Sequence, residues 1–391
     1  MPPSFPWGGM EHPMITFASH TLITGDKSQV DVAIHEITHS WFGNDVGCQN
    51  WDNFWLNEGL NTFMERKVTS ALRGEDFAKI EYFTGNTSMY FDDMVGYYGV
   101  DSTYSSLFPD IGDADPEDSF SGVPYEKGSQ FAYYIETLIG KDAMQSLLRL
   151  YLSTFAQTAI TAPDFKALYE SFVKATFDEA AADNILVLTD WDTWVYSPGL
   201  PPVTLSFQTA ELEDAQALAQ AYVDLGGKSS PNNFMTFFDF FSSQKVAFVQ
   251  ELDAIDSVDA DLLAYIDSEL KLASILDPKV KNEWFVLGIK NNYEAVMDPA
   301  YVWIGEQGRN AYVKPIYSAM VAAGNCDMAK TWFAENESFY NSYVLGGVSR
   351  QLAACDEEEG TAAPESKASL PLSTSSMFAL AAAMILGINV L

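Results

Sequence analysis

His35-Glu36-Ile37-Thr38-His39, followed after 18 residues by Glu58 within Trp55-Leu56-Asn57-Glu58-Gly59, is the stretch from which the rest of the chain can be read. On a helix, residues four apart share a face, so His35 and His39 can direct ring nitrogens at one cation. Glu36 lies about 100° further round, beside that cation, where a carboxylate can take a proton from an attacking water. Glu58 would supply the third ligand. Two histidines and one carboxylate leave a tetrahedral position open, the ligand set of a catalytic zinc rather than a structural one. The five-residue run by itself also arises by chance on amphipathic helices. The added weight comes from an acid at workable distance that opens a helical stretch of its own, Glu58 to Arg66. The plainer reading makes His35 a capped surface residue, His39 a packed core histidine and Glu58 an acid at the positive end of a helix dipole. Ligand types and spacing together favour the metal.

Composition sets the frame. At 391 residues the chain can hold two domains with sizeable cores, and 48% hydrophobic residues describe a globular protein. Against 21 basic residues stand 54 acidic ones, a net charge of −33. Such a surface repels phosphate backbones, so no nucleic-acid partner is expected. Cys48, Cys326 and Cys355 exclude a disulfide-dense scaffold and a cysteine-built zinc site. Cys326 and Cys355 can pair in a secreted protein, leaving Cys48 free, and buried free thiols are the alternative. Asn86-Thr87-Ser88 and Asn336-Glu337-Ser338 are glycosylation acceptors and permit a secretory route.

Periodicity divides the chain. In 1–195, strand chemistry at Ile15-Thr16-Phe17 precedes helical patterns over Gln29–Phe42, Phe54–Leu72, Tyr125–Ile139 and Ala143–Phe155. A Gly/Asp-rich interval from Gly96 to Gly122 reads as a long loop near the site. Residues 196–204, with Pro198, Pro201 and Pro202, form a linker. From 205 to 350 the pattern is helical throughout: Leu218, Tyr222 and Leu225 share one face, as do Leu262, Ile266 and Leu270. The expected class is therefore mainly α (α+β). Residues 351–376, acidic and then Ser/Ala-rich, read as a disordered spacer. Residues 377–391 are apolar, shorter than the roughly 20 residues of a membrane span, and fit a glycolipid-anchor signal better. Secretory or cell-surface localisation with such an anchor is expected, and a cytoplasmic location is the alternative.

Several motifs together resemble the gluzincin aminopeptidases, in particular the branch of leukotriene A4 hydrolase and aminopeptidase B: Gly8-Gly9-Met10-Glu11, His35 to Asn44, Trp51 to Arg66, Val123-Pro124-Tyr125-Glu126-Lys127-Gly128, Trp194 to Pro202 and Gln307-Gly308-Arg309. The resemblance implies a thermolysin-like catalytic domain followed by a superhelical, armadillo-like helical domain. It also implies that the first strands of the catalytic sheet and an upstream β-sandwich domain are missing, as in an N-terminally truncated chain. Its functional implication is one Zn2+ per chain, held by His35, His39 and Glu58, with Glu36 as base and Tyr125 donating to the developing oxyanion. Glu11 would pair with the free α-ammonium of a short peptide, beside Gly8, Gly9 and Met10, although His12 stands where the family usually has Asn. Arg309 would hold the peptide's C-terminal carboxylate. The lysine often found two residues later is Ala311 here, so that role is weaker or shared with Lys314. Glu65 either orients a metal ligand or is an exposed acid.

Epoxide hydrolysis in the branch depends on an aspartate eight residues before the motif tyrosine. This chain has Glu117 there and Phe120 in place of a second tyrosine, and one added methylene can misplace a water by over about 1 Å. The expected function is thus a zinc aminopeptidase acting on short peptides. The alternatives are a truncated, non-catalytic peptide- or partner-binding product and, less favoured, a bifunctional epoxide hydrolase and aminopeptidase. Oligomeric state is not legible.

Overall fold

The structure, a computed structural model, describes residues 1–359 apart from Asp256, with side chains up to Asp356. Helices dominate it, as the apolar spacing requires. Two compact units are present: one comprises Glu11–Thr16 and Ala33–Phe207, the other Met1–Met10, Phe17–Val32 and the chain from Gln208 onward. The first 10 residues and 17–32, grouped with the catalytic segment on sequence grounds, thus pack with the later helices. Gly308 and Asn310 donate backbone N–H groups to the carbonyls of Pro3 and Pro6, which explains that placement.

The chain opens with a short antiparallel pair, β1 (Gly9–Met10) and β2 (Phe17–Ala18). Expected strand residues Ile15 and Thr16 lie outside it, and Ile15 is exposed. Helix α1 (Val30–Thr38) leads into β3 (Val46–Cys48), then α2 (Trp55–Arg73) and α3 (Glu75–Ser88). Gly74, at φ 110°, ends α2 in a conformation that a Cβ would strain. The interval expected as a loop begins inside a π-helical stretch, Met89–Tyr98, and continues through 3-10 turns at Thr103–Ser105 and Pro116–Ser119. It is pinned along its length: the N–H of Ile111 donates to Asp52, that of Gly122 to Asp93, and that of Phe108 to the Val195 carbonyl.

Next come α4 (Val123–Ile139), α5 (Lys141–Phe155), β4 (Thr158–Ile160), α6 (Ala162–Thr176), α7 (Glu179–Thr189) and α8 (Trp191–Tyr196). β4 runs parallel to β3, with Gly47 opposite Ala159. A Thr161–Asp164 capping box starts α6. The core of this unit is aromatic: Phe42, Trp55, Phe131, Tyr151, Phe165, Trp191 and Trp194 are all buried together. Deleting one such ring costs about 3–5 kcal/mol. Inside this core α2 crosses α4 at Gly59 and Gly128, where backbone meets backbone.

The other unit adds α9 (Ala210–Leu225), α10 (Ser242–Asp253), α11 (Ala260–Leu270), α12 (Pro278–Lys290), α13 (Met297–Glu306), α14 (Asn310–Ala322), α15 (Cys326–Asn336) and α16 (Ser342–Glu359). α10, α12, α14 and α16 contact one another in succession, a layered stacking in which each helix covers its neighbour's apolar face. Cys326 and Cys355 form a disulfide joining α15 to α16, and α16 carries residues 351–359 as helix rather than spacer. Cys48 is the free thiol, pushed up to about 11 by burial. Both glycosylation acceptors lie in helices with bonded side chains: Gln130 donates to the Asn86 amide oxygen, and the Asn336 amide donates to the Trp332 carbonyl. The apolar tail, 377–391, lies outside the described residues. Among the described residues no helix is long and apolar enough to cross a membrane.

Candidate active site

Helix α1 presents His35 and His39 one turn apart, and the first turn of α2 presents Glu58 to them. The two Nε2 atoms lie 3.0 Å apart, each 3.3 Å from Glu58 Oε2. Their other nitrogens are occupied. His35 Nδ1 meets Glu65 Oε2 at 2.9 Å, and His39 Nδ1 meets the Phe42 carbonyl at 2.7 Å. These partners accept hydrogen bonds, so Nδ1 carries the proton and each Nε2 turns a lone pair towards the shared point. Glu58 Oε2 is buried without a hydrogen-bond partner, and both Nε2 atoms converge on it. The donor set therefore fits a tetrahedral metal with one open position.

Charge in the cluster is strongly coupled. Burial would raise the Glu58 carboxyl, but His39 and His35 more than offset it and hold it at about 2. Burial would lower both histidines, yet Glu58, with Glu65 for His35, raises them. Glu36, one residue round α1, is pushed up by burial to about 7. Carboxylate oxygens of Glu11 and Glu36 and a nitrogen of His39 lie within 4.8 Å of one another. Asn44 holds Glu11 in place by donating to its carbonyl at 2.6 Å.

Tyr125, in the first turn of α4, packs its ring over His35 with centroids 5.9 Å apart. Burial, then Glu58, Glu11 and Glu36, hold its hydroxyl well above the usual tyrosine value, so it keeps its proton and can donate. Phe54 and Phe120 flank the ring at 6.2 and 6.1 Å. Glu117 is exposed on the Pro116–Ser119 turn.

In the other unit, Gly8 lies against the Arg309 guanidinium; a Cβ there would sit 2.5 Å from Nη2. Arg309 donates to the Tyr312 hydroxyl at 2.9 Å, which in turn donates to Gln29. Gly9 and Met10 form β1 beside it. The Asp31 carboxylate is ion-paired with Lys279 and also feels the charge of Arg309. Lys314, assigned a share of the carboxylate, has its stem against Gly347.

Residues 1–194 match the Peptidase family M1 domain, and residues 240–352 match Leukotriene A4 hydrolase, C-terminal. This chain belongs to peptidase family M1. A leucine aminopeptidase 2 of Ajellomyces capsulatus is 33% identical over 90% of this chain and 56% of its own length. A leukotriene A-4 hydrolase homolog of Botryotinia fuckeliana is 33% identical over 90% of this chain and 53% of its own. The structure of yeast leukotriene A4 hydrolase in complex with bestatin superposes with a TM-score of 0.78 at 28% identity, covering 90% of this chain and 58% of that one. The chain thus spans a little over half the length of the relatives it matches. M1 membership implies zinc as the metal.

Other residues that build this M1 site fall inside the resembling stretches, but no local pattern assigns them a role. Asn61 donates to the His35 carbonyl and accepts from Thr38, fixing the end of α1 against α2. Arg66 pairs with both oxygens of Glu126 at 2.7 and 2.8 Å. Gly43, at φ 119°, leaves room for His39; a Cβ would lie 2.9 Å from Nδ1. Only the tertiary fold brings these partners together.

Proposed function

We propose that this chain is the catalytic portion of a zinc aminopeptidase that removes N-terminal residues from short peptides, with one zinc per chain. The observation that carries the reading is the convergence of three donor atoms from His35, His39 and Glu58, with both Nδ1 atoms already bonded elsewhere. When bound, zinc would polarise the scissile carbonyl and acidify the attacking water. Glu36 takes the water's proton and returns it to the leaving amine. Tyr125 donates its hydroxyl proton in a hydrogen bond to the carbonyl oxygen as that oxygen gains charge. Glu11 pairs with the substrate's free α-ammonium, which limits cleavage to the first peptide bond. In the helical unit, Arg309 is the carboxylate-binding group, with the backbone of Gly8, Gly9 and Met10 close by.

The relatives support this assignment: leucine aminopeptidases recur among them. A secretory or cell-surface location, with attachment through the C-terminal tail, remains part of the proposal. The Cys326–Cys355 bridge supports an oxidising compartment.

The test is Glu36→Gln in the purified chain. It should keep its zinc, measured by atomic absorption, and lose release of N-terminal residues from aminoacyl amides by about 10²–10⁴-fold. Undiminished release with full zinc would refute the assignment.

A further inference from the structure

Lys127 is a charged side chain that the proposed chemistry does not use, although it lies two residues from Tyr125. It is fully buried, and its ammonium has carbonyls for partners: Ser105 at 3.1 Å, Ser197 at 2.9 Å and Gly199 at 2.9 Å. Three donors meet three acceptors, so each N–H of the charged form is satisfied. Burial without a carboxylate alongside pushes the ammonium down to about 7. The fold bears a cost here that an apolar residue would avoid.

What the clamp holds is informative. Two residues along a helix turn through about 200°, so Lys127 grips the back of α4 while Tyr125 faces the metal ligands from the front. Glu126 is held to α2 by Arg66, and Gly128 lies against Gly59, the residue after Glu58. Ser105 belongs to the same knot, since its hydroxyl oxygen accepts from the Gly199 N–H at 2.7 Å. The segment leaving Ser105 returns as Phe120 against the Tyr125 ring. α4 cannot slide or rotate without breaking three charge-assisted hydrogen bonds.

We propose that Lys127 is a positioning residue, holding the Tyr125 hydroxyl at its distance from Glu58 by clamping the back of α4 to the carbonyls of Ser105, Ser197 and Gly199. The proposal rests on the aminopeptidase reading above. It makes Lys127 matter to the transition state more than to substrate binding, because Tyr125 bonds the oxygen only as charge develops.

Lys127→Met keeps the aliphatic stem and removes the donors. Zinc content and KM should stay within about twofold, while kcat falls roughly 10–100-fold, the scale of a 1 Å misplacement. Affinity for a phosphinic dipeptide, a tetrahedral analogue, should fall by a similar factor in calorimetry. Tyr125→Phe should then cost much less in the Lys127→Met background than in the parent chain. Unchanged kcat and unchanged analogue affinity, or full additivity with Tyr125→Phe, would overturn the proposal. Should Lys127→Met fail to fold, Ser105→Ala weakens the same knot and should give the same pattern at smaller size; a normal kcat there also overturns it. A parent chain that binds zinc but releases no residues refutes the aminopeptidase reading alone, and the analogue calorimetry still decides the role of Lys127.

Discussion

Gly59→Ala sets two physical effects against each other in one methyl group. Propensity favours the change: Gly in a helix interior is about 0.5–1 kcal/mol worse than Ala. Packing opposes it. A Cβ on Gly59 would lie 2.7 Å from Gly128 Cα and 2.9 Å from both Gly128 C and the Pro124 carbonyl oxygen. Ordinary contact needs about 3.6 Å, so α2 and α4 would have to part by roughly 0.9 Å. All three obstacles are backbone, and no rotamer change relieves them. Overpacking of this kind costs about 1–3 kcal/mol, leaving a net loss of up to about 2.5 kcal/mol after the propensity gain. The same displacement separates Glu58 from Tyr125, and kcat should fall roughly 10–100-fold. Urea unfolding with zinc saturated, alongside turnover of an aminoacyl amide, measures both. Gly346 on α16 is the control: the nearest atom to its Cβ position is 3.7 Å away, so Gly346→Ala should stabilise. Equal stabilisation by the two substitutions would refute the packing argument.

Two further outcomes test the helical unit. Asp31 is ion-paired with Lys279; burial would raise its carboxyl, but Lys279 and then Arg309 hold it below the ordinary value of 3.8. A depressed carboxylate contributes stability above its unfolded value and loses it as pH falls through the folded one. Asp31→Asn should therefore cost about 1 kcal/mol at pH 7, modest because Lys279 is partly exposed. The difference from the parent should shrink below pH 3.8 in acid-unfolding curves, and a constant difference across pH would contradict the pairing. The Cys326–Cys355 bridge spans 29 residues and should stabilise by about 3–4 kcal/mol. Thiol titration of the unreduced, denatured chain should count Cys48 alone, and replacing both bridge cysteines with Ala should lower the unfolding midpoint. Three free thiols would remove the bridge from the native protein.

The convergence of His35, His39 and Glu58, with Glu36 beside them, was legible because they lie in two short helical segments, where ligand chemistry and a 3.6-residue period coincide. His35, Glu36 and His39 are local, and Glu58 needs only the next helix. Helices α2, α4 and α5 emerge close to their periodic limits for the same reason. The interval before Gly122 was harder, because its order comes from Asp52, Asp93 and Val195, partners that no local pattern reveals.

The amino-acid order by itself determined the ligand types, the helical classes and the family resemblance, since each depends on residue chemistry at short spacing. Only the tertiary structure decided that Glu65 and the Phe42 carbonyl set the histidine tautomers, and that Gly59 must meet Gly128 without side chains. It alone also placed three carbonyls round Lys127 and set residues 1–10 among the later helices. Those are matters of which distant atoms share a volume, and hydrogen bonding and close packing act on distance in space rather than along the chain.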